Sequence, residues 1–244
     1  MSKARPFPPM VWVVVALLRP LFTVATKRDR RGIAKLPPVG GYVIAANHLS
    51  YLDPFLLGFW ATDQGVPPRF LVKDPLLEVP IVGWVLRKAR QIPVYRGTDS
   101  ASDSLRDAVA AVDAGQVVIV YPEGTMTRDP ACWPMTGRTG AVRIAHESGR
   151  PLFPVAQWGA QDIMWPYKKG FHPFPRKTIH IWVGDPIDLS DLGSNPTEDQ
   201  LLAKTAVLMA AITELQAQIR GELPATPPID VHTLDTPKTN LEGN

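Results

Sequence analysis

A histidine and an aspartate five residues apart, His48 and Asp53, are the residues whose types and spacing best fit acid–base chemistry. They lie in the stretch NHLSYLD, which follows one short apolar run and precedes another. That order predicts a strand, a tight connection and a helix that begins near Asp53. An aspartate there can fold back and bind one nitrogen of the imidazole. The other nitrogen stays free to take a proton, so the pair predicts a general base.

A second histidine has an aspartate at the same spacing, His180 and Asp185 in HIWVGD. The stretch 178–183 alternates and is rich in β-branched and aromatic residues, which predicts a strand. Five strand residues span roughly 16 Å, and an odd offset points the side chains to opposite faces. We therefore expect that these two side chains do not meet and that His180 is an ordinary strand residue.

The stretch YPEGT directly follows the apolar run 117–121. Strand ends are where α/β sheets place ligands, and Gly124 allows a close backbone approach in which successive amides can bind an anion. Glu123 is expected to order this loop or to assist the base, and the alternative is a tight turn with a capping acid. Thr125 and Gly124 are candidate substrate contacts.

Three basic residues are candidates for binding a phosphate. Lys73 and Arg96 end two predicted strands, and Arg128 follows the YPEGT loop. If the strand ends converge with Arg128, the three side chains form a cationic pocket suited to a phosphate monoester. The alternative for each residue alone is a solvated surface charge.

The elements that must position these residues alternate along the chain. Apolar periodicity and turn residues predict strands and helices in turn between residues 33 and 220. The predicted strands are 42–46, 69–73, 91–95, 117–121, 152–157 and 177–183, and the predicted helices are 76–86 in two pieces, 102–114, 139–147 and 197–220. This order predicts an α/β domain with a mainly parallel, mixed sheet flanked by helices.

Length and composition limit the possible classes. The 244 residues suffice for one domain with appendages. The single cysteine, Cys132, excludes an intrachain disulfide, and nothing suggests an oxidising compartment. The five histidines are scattered, so no metal site is predicted.

The first 32 residues are predicted to form a segment at a membrane interface. Residues 7–25 are almost wholly apolar but interrupted by prolines, so two short interfacial helices fit better than a span of about 20 residues. Residues 1–35 hold eight Lys or Arg and one acid, which favours an anionic membrane surface over nucleic acid. A signal peptide and a core helix are the alternatives. Residues 221–244, rich in Pro, Thr and charge, are predicted to be a loose tail.

These blocks resemble the lysophospholipid acyltransferase family, which includes 1-acylglycerol-3-phosphate acyltransferases. NHLSYLD matches the family's NHxxxxD block, the stretch from Lys73 to Arg96 matches the second, YPEGT matches the block usually written FPEGTR, and FPVA at 153–156 matches the fourth. Tyr121 replaces the usual phenylalanine. Met126 stands where the family usually has arginine, and Arg128 is the nearest substitute.

The resemblance implies transfer of an acyl group from coenzyme A or acyl carrier protein to a hydroxyl of a lysophospholipid, most simply 1-acylglycerol 3-phosphate. His48 would be the base, oriented by Asp53 and supported by Glu123, while Lys73, Arg96, Gly124, Thr125 and Arg128 would bind substrate, without a cofactor or metal. Together with the basic N-terminal segment, the resemblance implies a peripheral or monotopic protein on the cytoplasmic face of the cell membrane. One alternative is an acyltransferase that acts on another lyso-phospholipid or a glycolipid, such as a phosphatidylinositol mannoside. The other is a catalytically silent lipid-binding protein of the same fold. The oligomeric state is left open.

Overall fold

Residues 7–94 and 101–234 are described by the computed structural model, and within them seven strands form one sheet. The strands are β1 (Thr26–Arg31), β2 (Tyr42–Ala46), β3 (Pro68–Lys73), β4 (Ile92–Val94), β5 (Val117–Val120), β6 (Leu152–Trp158) and β7 (Lys177–Val183). The helices are α1 (Pro9–Ala25), α2 (Asp53–Asp63), α3 (Pro75–Glu78), α4 (Pro80–Lys88), α5 (Ala101–Asp113), α6 (Gly140–Ser148) and α7 (Glu198–Arg220), with short 3₁₀ turns at Ile33–Lys35 and Ala160–Asp162.

The strand order is β1-β7-β6-β2-β5-β3-β4. Neighbouring strands run parallel except β6 and β7, which pair antiparallel. The predicted α/β architecture with a mainly parallel, mixed sheet is confirmed. Because β2, β5 and β3 are adjacent and parallel, the turns that follow them meet at one edge of the sheet.

Helices cover both faces of this sheet. All five residues of β2 are buried, as expected of a central parallel strand. Val43 and Ala45 pack in the core formed with α5, α6 and α7, whereas Ile44 and Ala46 pack in the core formed with α1 and α2. Each fully buried aliphatic side chain contributes about 1.5–3 kcal/mol, so β2 is held firmly at the centre of the domain.

Helix α7 begins and ends where the sequence predicts. The Thr197 hydroxyl accepts a hydrogen bond from the Gln200 backbone N–H, and the Thr197 N–H donates to the Gln200 side-chain oxygen. The two bonds form a capping box. The helix ends at Gly221, whose φ of 71° provides the left-handed residue that stops it. Its buried stripe includes Leu201, Leu208 and Ile212.

The N-terminal apolar stretch forms one helix, so the expectation of two short helices is wrong. Pro20 lies inside α1 and removes one backbone donor. Val15 and Phe22, one on each side of Pro20, are both buried against the domain, and this shared packing keeps the helix continuous. The opposite side of α1 exposes large apolar side chains: Trp12, Val13, Leu17, Leu21 and Val24. No helix in the described ranges combines the length and apolar character needed to cross a membrane.

The basic stretch after α1 is strand β1 at the edge of the sheet, which corrects the predicted boundary at residue 32. The sequence predicts that its arginines meet lipid headgroups. In the structure Arg28 and Arg30 contact the carboxylate of Asp63 at 3.5 and 2.7 Å. Arg31 lies 4.0 Å over the ring of Trp182. These contacts, with the parallel pairing to β7, join β1 to the domain.

His180 does not meet Asp185, in agreement with the strand argument. Its Nδ1 lies 2.8 Å from Asp29 Oδ2 on β1, and the same oxygen accepts the indole N–H of Trp182 at 3.0 Å. Asp185 pairs instead with Lys35 at 2.9 Å. His180 is therefore a strand residue that fastens β1 to β7.

Part of the segment predicted to be a loose tail packs back onto the domain. The Ile229 carbonyl accepts the Thr136 N–H at 2.9 Å, and Val231 donates its N–H to the Thr136 hydroxyl at 2.9 Å. Val231 is buried. Backbone pairing with the loop before α6 fixes these residues, a long-range contact that composition does not reveal.

Candidate active site

His48 and Asp53 meet at the turn between β2 and α2. Asp53 is the first residue of α2 and is fully buried. Its Oδ2 accepts His48 Nδ1–H at 2.9 Å and the backbone N–H groups of Leu49 and Ser50 at 2.5 and 2.8 Å. The carboxylate is thus fixed by the turn that carries the histidine. With Nδ1 donating to Asp53, Nε2 is the nitrogen that can accept a proton.

Tyr121, the first residue of YPEGT and the residue directly after β5, packs against one face of the His48 ring. The two rings stack with centroids 4.2 Å apart, and Phe70 of β3 lies beyond Tyr121 at 6.3 Å. Burial, with the charge of Asp53, raises the pKa of Tyr121 well above 10. Tyr121 therefore remains a neutral, flat support for the imidazole.

Asn47, the residue before His48, connects four parts of the chain. Its amide donates to the Gln157 carbonyl at 3.0 Å and to Gln216 Oε1 at 2.9 Å, and its oxygen accepts the Gln157 N–H at 2.7 Å. Gln216 in turn donates to the carbonyl of Cys132 at 2.8 Å. All of these side chains are buried. These hydrogen bonds fix the end of β2 against β6 and α7. The sequence patterns did not predict them.

Glu123 is buried and holds the turn that carries His48. Its Oε1 accepts the His48 backbone N–H at 3.0 Å and its Oε2 accepts the Met135 N–H at 3.1 Å. Burial raises the pKa of Glu123 to about 8, although these two hydrogen bonds act in the opposite direction. Of the two predicted roles, ordering the loop is the one these contacts support, because both oxygens are used by backbone donors.

Gly124 has a φ of 66°, the left-handed conformation that glycine adopts at low cost. Its N–H donates to the Tyr121 carbonyl at 2.9 Å, so this amide is taken by the turn itself. The contact of Gly124 with substrate stays a prediction. Within the described residues the N–H groups of Thr125 and Met126 make no hydrogen bond, and they are the remaining candidates for an anion.

The residues after Gly124 pass directly over the histidine turn. The Thr127 N–H donates to the carbonyl of His48 at 2.8 Å. Met126 is buried, so the residue standing where the resembled family has arginine points into the protein. Arg128 is exposed and stacks on the ring of Tyr167, with 4.2 Å from the guanidinium carbon to the centroid.

The two other predicted cations are placed differently. Lys73 ends β3 and is exposed at the same sheet edge as the Glu123–Thr125 turn. Arg96 lies outside the described residues. The cationic pocket remains a prediction, supported by Arg128 and by the edge position of Lys73.

Cys132 is not suited to act as a nucleophile. It is buried, and burial raises the pKa of its thiol to about 11. A thiol with this pKa holds very little thiolate near neutral pH, and the thiolate is the reactive form. This agrees with the direct transfer route expected from the sequence.

An apolar cavity of about 150 Å³ opens beside the site, between α1, α2, β3 and α4. Its wall shares Phe70 with the aromatic stack that ends at His48. The other lining residues include Val11, Val15, Phe55, Gly58, Phe59 and Leu86. Such a lining accepts hydrocarbon and offers few partners to water.

Comparison with known proteins gives consistent results. A model of the acyltransferase family matches residues 27–158. The 1-acyl-sn-glycerol-3-phosphate acyltransferase of Bacillus subtilis is 28% identical over 184 residues, which are 75% of this chain and 85% of that protein. The lyso-ornithine lipid O-acyltransferase of Pseudomonas aeruginosa is 31% identical over 111 residues, covering 46% and 40%. The 1-acyl-sn-glycerophosphate acyltransferase PlsC from Thermotoga maritima shares the fold, with a TM-score of 0.61, 23% identity and coverage of 85% and 80%.

Proposed function

The chain belongs to the acyltransferase family, and from this membership we propose that it transfers an acyl group from a thioester to a hydroxyl of a lysophospholipid. The observation that carries the proposal is the His48–Asp53 pair, in which a buried carboxylate, itself held by two backbone N–H groups, accepts Nδ1–H. This arrangement fixes the tautomer and leaves Nε2 as a general base.

The reaction then needs no covalent enzyme intermediate. Nε2 of His48 takes the proton of the acceptor hydroxyl as its oxygen attacks the thioester carbonyl. The carbon–oxygen bond forms, the carbon–sulfur bond breaks, and the thiolate leaves with the proton that His48 returns. The N–H groups of Thr125 and Met126 are proposed to stabilise the oxyanion, since removing such a donor typically costs about 100–1000-fold in rate.

We propose 1-acylglycerol 3-phosphate as the acceptor, which gives phosphatidic acid. The Bacillus subtilis relative named for this acceptor aligns with three quarters of the chain. Lys73, Arg96 and Arg128 supply positive charge for the phosphate monoester, and Thr125 supplies a hydroxyl. The donor is proposed to be acyl-coenzyme A or acyl carrier protein.

The apolar cavity is proposed to bind the part of an acyl chain that lies next to its carbonyl group. Its wall reaches the histidine through Phe70 and Tyr121, so a chain lying there has its carbonyl end directed at the base. The outer side of α1 exposes Trp12, Leu17, Leu21 and Val24, and neighbouring α4 exposes Trp84. We propose that this apolar surface lies in the lipid of the cytoplasmic membrane face, which places the cavity where acyl chains reside.

The experiment incubates the full chain with an acyl thioester and a panel of lyso-acceptors, and identifies products by mass spectrometry. His48→Ala and Asp53→Asn should abolish product formation. His180→Ala is the matched control, because His180 also has an aspartate oxygen at 2.8 Å from its Nδ1 but lies on β7, two strands away from β2. Equal loss of activity in all three variants would contradict the assignment of the base.

Two observations favour a second acceptor class. Met126 is buried, and the Pseudomonas aeruginosa relative is named for a lyso-ornithine lipid, which is a different acceptor. If the panel yields product only with such a lipid, the reaction stands and the acceptor assignment fails. If no acceptor gives product while lipid still binds, the chain is a silent lipid-binding protein.

A further inference from the structure

Tyr167 joins two parts of the candidate site that lie about 40 residues apart in sequence. Its hydroxyl donates to the Met126 carbonyl at 2.7 Å and lies 3.1 Å from the Thr125 hydroxyl. The guanidinium carbon of Arg128 lies 4.2 Å from the centroid of the Tyr167 ring. The backbone of Tyr167 has a φ of 60°, which is uncommon for an aromatic residue and is often found where a side chain must be aimed at a site.

The loop that carries Tyr167 is fixed beside the catalytic turn. The Ser50 hydroxyl, two residues from His48, donates to the Met164 carbonyl at 2.8 Å. The His172 N–H closes the loop on the Ile163 carbonyl at 2.8 Å. Tyr167 is therefore held at the mouth of the site by contacts on either side of it.

Arg128 is prepared to bind an anion. It takes part in no ion pair in the parts of the chain that are described, unlike Arg143 and Arg220, which pair with glutamates. An arginine stacked on an aromatic ring keeps the N–H groups at its edge available for a bidentate acceptor. The neighbouring Met126 side chain is buried and offers no charge.

We propose that Tyr167 is a positioning residue for the acceptor. It holds the Arg128 guanidinium and the Thr125 hydroxyl in the geometry that binds the phosphate monoester of the lysophospholipid. The inference rests on the proposed function, and it adds that the arginine at this site is delivered from residue 128 by an aromatic support rather than from residue 126.

The test measures steady-state kinetics with acceptor and thioester varied separately. Arg128→Gln should raise the acceptor KM about tenfold and Tyr167→Leu about threefold, with the thioester KM and kcat within about twofold. Tyr167→Phe keeps the ring that supports Arg128, so its acceptor KM should lie close to that of the wild type. The double variant should lose much less than the product of the two single losses, because Tyr167 acts chiefly through Arg128 and otherwise only through the Thr125 hydroxyl.

Lys168→Gln is the matched control. Lys168 lies 4.8 Å over Trp165 in the same loop, which is the same kind of contact away from residues 125–128. Its acceptor KM should equal that of the wild type. A normal acceptor KM in Tyr167→Leu, an equal rise in both KM values, or losses that multiply in the double variant would each overturn the proposal.

A binding measurement separates this inference from the proposed function. Calorimetric titration with a short-chain 1-acylglycerol 3-phosphate, without thioester, should show weaker binding to Arg128→Gln and Tyr167→Leu than to Lys168→Gln. If no product forms with any acceptor but this pattern holds, the proposed reaction fails and the phosphate site stands. If product forms and all variants bind alike, the reaction stands and the role of Tyr167 is refuted.

Discussion

Replacing Glu123 by glutamine should change how the stability of the domain depends on pH. Burial raises the pKa of Glu123 from an ordinary 4.5 to about 8 in the folded state. Between these values the folded protein holds a proton that the unfolded chain has released. The free energy of unfolding therefore falls as pH rises through this window, by about 1.4 kcal/mol for each pH unit. The total lies on the order of 5 kcal/mol, all of it lost above pH 8.

Glutamine is neutral throughout, so the variant lacks this pH-dependent contribution. Its single oxygen can accept the N–H of His48 or of Met135, and its amide N–H₂ then faces the other backbone donor. That leaves one buried donor unpaired, at a cost of about 1–3 kcal/mol. We expect Glu123→Gln to be less stable than the wild type at pH 5 and more stable at pH 8.5.

The assay is urea unfolding followed by circular dichroism at half-unit steps between pH 4.5 and pH 9. Only the difference between the two proteins is interpreted, so titration of all other groups cancels. Glu147→Gln, on the exposed surface of α6, controls for the loss of one carboxylate. Parallel stability curves for the wild type and Glu123→Gln would refute the reasoning, because the carboxyl would then titrate alike in both states.

Three further perturbations test other parts of the structure. Gly58→Leu fills the cavity beside Phe70 and should shift product chain length towards shorter acyl groups, as measured by mass spectrometry on mixed thioesters. Asn47→Ala leaves several buried partners unpaired and should destabilise the domain by about 2–4 kcal/mol in urea unfolding. Leu17→Gln with Leu21→Gln should reduce co-sedimentation with anionic vesicles, whereas Leu223→Gln, exposed on the segment after α7, should not. If the Leu17→Gln, Leu21→Gln variant sediments as well as the wild type, the lipid contact lies elsewhere on the domain.

Local sequence patterns predicted the centre of the fold well. The strands at 42–46 and 177–183 have the predicted bounds, since each is a compact run of β-branched or apolar residues. Strand β1 was not predictable, because TKRDRR has neither alternation nor apolar character. Its place depends on partners far along the chain, such as Asp63 for Arg30 and His180 for Asp29.

The same division applies to the candidate site. The His48–Asp53 contact spans one turn, so residue types and spacing were enough to predict it. The contact between Glu123 and Met135 depends on how a loop returns to the sheet. Tyr167 lies in an aromatic and basic loop without a spacing that relates it to Arg128, and only the folded chain brings them together.

Helix α1 runs into strand β1 with no residue between them. The Thr26 hydroxyl donates to the Phe22 carbonyl at 2.6 Å, and Arg176 donates to the carbonyls of Thr23 and Thr26, so the junction has no free rotation. A flexible tether would let the domain tumble above a lipid surface and sample substrates at many heights. With this rigid joint, a bilayer that holds α1 also sets the tilt of the sheet and the depth of His48. Under the proposed membrane contact, only hydroxyls at one depth of the leaflet would reach His48. The position acylated within a glycerolipid would then depend on the distance between α1 and His48.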